Sequence, residues 1–82
     1  MISDIESKIS EYIRTQVIKR PKFDLGNDDA LISSGLIDSF HLVDLAVFVE
    51  ETFGVWIEDT ELNASTFDTI TQLTALIHQR LK

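Results

Sequence analysis

Apolar residues recur at helical spacing in three stretches of the chain, and each stretch predicts a helix. Ile5, Ile9, Tyr12, Ile13 and Val17 fall on one face of residues 3–18, with Lys8, Glu11 and Arg14 away from that stripe. Ser3 and Glu6 have the spacing of a capping box, and Pro21 cannot continue a helix. A second segment, residues 39–53, opens behind the cap residue Asp38 and stops at Gly54. A third starts at a cap on Asp68 and runs to about Leu81, with Phe67, Ile70, Leu73, Ile77 and Leu81 on its buried face. Residues 58–63 read as a short acidic helix or turn, after an extended link at 55–57 that has no strand to pair with. The expected fold is all-α: a small four-helix bundle of three longer helices and one short one, in a single domain spanning 1–82.

The second helix departs from the usual pattern. Leu42, Leu45, Val49 and Phe53 share one stripe, while Val43, Ala46 and Val47 form another, so more than half its girth is apolar. Asp44, Glu50 and Glu51 occupy the rest. A surface helix of a small domain normally shows one apolar stripe with polar residues opposite. Phe40 and Val47 are therefore candidates for exposed apolar residues ringed by acids, the composition of a docking patch.

A long loop is expected between the first and second helices. It carries turn signals at 26–29 and 33–35, with Leu25, Leu31 and Ile32 apolar between them, which places it on the core. Long connections in compact domains are often functional. A calcium loop starting at Asp24 needs a glutamate at its twelfth position, where Gly35 stands, and that reading fails.

Composition narrows the chemistry. The chain has no cysteine, so disulfides and thiolate metal sites are excluded, and two histidines, His41 and His78, are too few and too separated for a zinc-type site. The net charge is −7, and residues 23–79 hold eleven acids with no Lys or Arg. That span argues against a nucleic-acid partner, which needs a basic footprint. It would instead steer proteins with basic patches toward this face. No run approaches the ~18 apolar residues that cross a bilayer, and the first residues lack signal-peptide character. A cytoplasmic monomer is the default expectation.

Ser39 is the remaining candidate for chemistry. A hydrolase nucleophile elbow needs glycines where Ile37 and His41 stand. Ser39 and His41, two apart on a helix, diverge by roughly 200°, so with Asp38 they cannot form a relay triad. A hydroxyl in the first turn of a helix, where N–H groups are unpaired and the dipole favours negative charge, suits a phosphate. The alternatives are that Asp38-Ser39 merely begins a helix, or that the domain is an unmodified acidic helical adaptor.

Gly35-Leu36-Ile37-Asp38-Ser39-Phe40, followed by Val43, Asp44-Leu45, Glu50-Glu51 and Phe53-Gly54-Val55, resembles the attachment region of acyl and peptidyl carrier proteins. Phe67-Asp68-Thr69-Ile70 resembles the lead into that family's last helix. The resemblance covers nearly the whole chain. It implies a protein that is not an enzyme, whose Ser39 accepts 4′-phosphopantetheine from coenzyme A through a separate phosphopantetheinyl transferase. The arm would hold an acyl or aminoacyl group as a thioester, loaded by an activating ligase and passed to downstream acyl-transfer enzymes. Partner contacts would map onto Phe40, Asp44, Val47 and Glu51, extended by Glu58 and Glu61. Phe40, His41 and Trp56 depart from the housekeeping fatty-acid carriers. The opening block is closer to free-standing aminoacyl, D-alanyl or peptidyl carriers, and bulky Phe48, Phe53 and Trp56 leave little space for a long chain.

Overall fold

The computed structural model describes the backbone of residues 2–20 and 22–81 and the side chains of 4–20 and 22–81. Three α-helices carry the architecture: α1 (Ile2–Tyr12), α2 (Ser39–Phe53) and α3 (Ile70–Arg80). No strand occurs among the described residues, and the result is a small helical bundle. The first helix begins one residue earlier than its sequence suggests, which puts Ser3 inside it rather than at the cap. The expected capping box lies outside the described side chains.

Past Tyr12 the backbone widens into a π-helical turn, Ile13–Val17, with the Ile18 N–H donating to the Ile13 carbonyl at 2.8 Å. The helix ends through Lys19, which takes a left-handed φ of 62°. The Arg20 N–H then reaches back to the Arg14 carbonyl at 2.8 Å. A left-handed residue at this place closes the last turn and satisfies carbonyls that would otherwise be orphaned. Pro21, the expected stop, lies outside the described residues.

Side-chain pairing fixes the directions. Tyr12 stacks on Phe48 with ring centroids 4.2 Å apart, and the Lys8 ammonium lies over the Phe53 ring. Earlier positions on α1 thus meet later positions on α2, so the two helices are antiparallel. Arg80, at the end of α3, hydrogen bonds to the carbonyl of Trp56 just beyond α2, and Asp68, just before α3, bonds to Ile32 and Ser33 ahead of α2, so α3 runs parallel to α2. Ile5, Ile9 and Ile13 from α1, Leu42, Leu45, Ala46 and Val49 from α2, and Ile70, Leu73 and Ile77 from α3 make one core. Val55 and Ile57 add to it from the extended link, whose intervening Trp56 faces outward.

Two expectations change at the C-terminal half. Residues 58–63, which read as a short acidic helix or turn, hold a single 3₁₀ turn, Asp59–Glu61, so three α-helices and this turn stand where the pattern counts a fourth, short helix. So short a polar segment has no apolar stripe to bury and cannot offset the cost of nucleating an α-helix. The cap of α3 is Thr69, whose hydroxyl accepts the Gln72 N–H at 3.1 Å, and not Asp68. Phe67 is fully buried but precedes the helix, and Leu81 is exposed where the chain turns extended beyond Arg80.

Between Val17 and Ser39 the described residues form turns and extended segments without a helix. This stretch lies on the core: Leu31 is fully buried, Leu25 and Ile37 nearly so, and Ile32 packs against them. The Ile37 N–H donates to the Leu31 carbonyl at 2.9 Å, closing a compact turn around Gly35, whose φ of 80° favours glycine. That turn delivers the chain directly to the start of α2.

Candidate functional site

The site is built at the N-terminus of α2. Asp38 is the cap, extended in backbone, and its Oδ1 accepts the His41 N–H at 2.9 Å. The same oxygen meets Nδ1 of the His41 ring at 2.9 Å, which requires the proton on that nitrogen. The backbone bond from His41 first, and its ring second, hold the Asp38 carboxyl below the usual carboxylate range. His41 is thus an orienting partner of Asp38. The sequence spacing i, i+3 permits that contact.

Ser39 is exposed at the first position of α2. It lines a cleft of about 280 Å³ together with Leu42 and Val43 from α2, and with Asp59 and Leu62 from around the 3₁₀ turn. Asp59 and Leu62 were not legible as site residues, because only the packing of the turn against α2 brings them there. An exposed hydroxyl, a neighbouring carboxylate already engaged by His41, and a half-apolar cleft can hold a covalent group. They do not assemble a nucleophile and base.

The second apolar stripe of α2 divides: Ala46 turns into the core, while Val43 and Val47 face outward. Phe40 is 82% exposed, with Val43 and Val47 also exposed. Asp44 and Glu51 are exposed beside them, and positions 40, 44, 47 and 51 share one helical face. Gly54 ends this face with a left-handed φ of 71° and donates to the Glu50 carbonyl at 2.9 Å. Glu58 is exposed before the 3₁₀ turn. Glu61 is engaged elsewhere: its two carboxylate oxygens receive the Arg80 guanidinium, and Oε1 also accepts the Glu58 N–H at 3.0 Å. The Arg80 bonds first, then the Glu58 bond, lower its carboxyl to about 2.

Among the described residues no helix is long and apolar enough to cross a membrane. No family model and no solved structure matches the chain. One curated relative does: the "Probable acyl carrier protein PigG" of Serratia sp. (strain ATCC 39006), 32% identical over 78 residues, which are 95% of this chain and 88% of the relative. A small helical bundle that presents an exposed serine behind an aspartate cap, with this relative over nearly its full length, defines a carrier protein and not an enzyme. The chain belongs to the acyl carrier protein family.

Proposed function

We propose that Ser39 bears a 4′-phosphopantetheine arm and that the protein delivers a small acyl or aminoacyl group on it to partner enzymes. The observation that carries this reading is the exposed Ser39 at the first turn of α2, opening on the cleft with Leu42, Val43, Asp59 and Leu62. A phosphodiester on Ser39 would lie at a helix N-terminus, where unpaired N–H groups and the dipole favour an anion. When bound, the arm supplies the thiol that this cysteine-free chain lacks. A flexible arm lets one cargo visit several active sites at high effective concentration.

The cleft favours short cargo. Its ~280 Å³ falls just below the usual range for small-molecule sites, and between α1 and α2 the Tyr12, Phe48 and Phe53 rings pack on one another. Phe40 and Val47, flanked by Asp44 and Glu51, form the proposed docking face, which suits partners with an apolar centre and a basic rim. A phosphopantetheinyl transferase, an activating ligase and acyl-transfer enzymes in the cytoplasm would all read this face. Glu58 extends it, and Glu61 supports it through Arg80 by holding the 3₁₀ turn beside Ser39.

Coexpression with a broad-specificity phosphopantetheinyl transferase, followed by intact mass measurement, tests the assignment. The wild type is expected to gain one arm and Ser39→Ala none. An unmodified wild type, with partner binding retained in Ser39→Ala, would instead identify an acidic adaptor acting through the same exposed stripe.

A further inference from the structure

Asp68 does not cap the helix it precedes. Its carboxylate reaches across the chain to the turn that leads into Ser39. Oδ1 accepts the N–H of Ile32 at 2.7 Å and of Ser33 at 2.9 Å, and Oδ2 accepts the Ser33 hydroxyl at 2.5 Å. The Asp68 carbonyl also accepts the Leu31 N–H at 2.6 Å. One residue thus holds three successive positions of the turn, while Thr69 takes over the capping of α3.

The held turn is short and tied at both ends. Leu31 and Ile37 are buried and joined through the Ile37 N–H and the Leu31 carbonyl. Asp38 follows Ile37 at once, and Ser39 follows Asp38. Five residues, with the Gly35 corner among them, separate Ser33 in the clasp from the exposed hydroxyl. Where the Asp68 carboxylate lets go, Ile32 and Ser33 lose their anchor, and the turn is held by the Asp68 carbonyl on Leu31 and by the buried Leu31 and Ile37 alone.

We propose that Asp68 is a positioning residue for Ser39, fixing through Ile32 and Ser33 the turn that presents the Ser39 hydroxyl to the transferase. This rests on the carrier reading of Ser39. In the transfer, the Ser39 oxygen bonds to the pantetheine-bearing phosphorus of coenzyme A. The pyrophosphate bond breaks, adenosine 3′,5′-bisphosphate leaves, and the hydroxyl proton passes to a base of the transferase. A wandering turn lowers the fraction of molecules that present Ser39 correctly and so weakens apparent affinity, with little effect on the step itself.

The test compares wild type, Asp68→Ala, Ser33→Ala and Thr69→Ala, by arm-transfer kinetics with a broad-specificity transferase and by amide hydrogen exchange. Asp68→Ala is expected to expose the Ile32, Ser33 and Ile37 amides to exchange and to raise KM about fivefold or more, with kcat within about twofold. Ser33→Ala, which removes the hydroxyl contact alone, should fall between it and wild type. Thr69→Ala weakens the start of α3 but leaves the clasp, and should keep the wild-type KM. An Asp68→Ala variant with wild-type KM, or a Thr69→Ala variant equally impaired, overturns the proposal while the carrier reading stands. A wild type that takes no arm overturns both. If Asp68→Ala does not fold, the Ser33→Ala and Thr69→Ala pair decides by the same comparison.

Discussion

Arg80 at the end of α3 and Glu61 in the 3₁₀ turn form a two-pronged ion pair that joins segments nineteen positions apart. Arg80 also donates to the Trp56 carbonyl at 3.1 Å, so a single guanidinium fastens the extended link and the turn to the last helix. The Glu61 carboxyl is held at about 2, against an ordinary value of 4.5. A depressed carboxyl stabilises the fold above its unfolded value, and that contribution disappears as pH falls. It should be complete above about pH 4.5 and lost on the way to about pH 2. Thermal melts across that window should show Glu61→Gln less sensitive to acid than wild type, with the two converging at the lowest pH.

Leu31 lies in the connection, yet it is as buried as the helical core residue Leu45. Leu31→Ala is therefore expected to destabilise by about 2–5 kcal/mol, as Leu45→Ala would. Chemical denaturation of both variants checks this. A cost near zero for Leu31→Ala would mean that the connection does not contribute to the core.

Thr74 faces the opposite situation. Its hydroxyl is fully buried on α3 and has no hydrogen-bond partner among the described residues. Replacing it with an apolar group of the same shape removes an unsatisfied donor. Thr74→Val should stabilise by about 1 kcal/mol and raise Tm by about 4–8 °C, measured by calorimetry.

The exposed acids of α2 should act on encounter more than on stability. Asp44→Lys with Glu51→Lys is expected to leave Tm within about 2 °C and to slow arm transfer to Ser39 markedly at low salt. The difference from wild type should shrink as ionic strength rises, because surface charges are screened beyond about 10 Å at 0.1 M salt. Transfer rates followed across a salt series make the comparison.

Much of this molecule is legible in its residues. Helical spacing locates α1, α2 and α3 to within a few positions, and Asp38 is recognisable as a cap by residue type alone. The surplus apolar stripe of α2 reads from its pattern and emerges exposed at Phe40, Val43 and Val47. What fails is set by long-range contacts. Asp68 and Thr69 are both cap types side by side, and only Ser33, thirty-five positions away, decides that Asp68 is engaged elsewhere. Arg80 reads locally as compensation for a helix dipole, and Glu61 as a free surface acid, until packing brings them together.

An outward apolar stripe on a small protein invites contact between identical copies. On α2, however, each such approach also brings Asp44, Glu50 and Glu51 against their own duplicates. Like charges placed opposite one another disfavour that encounter. A docking face of the kind proposed, suited to visitors with basic rims, would therefore discourage its own kind, and the acidity of residues 23–79 would act as a rule of mutual avoidance.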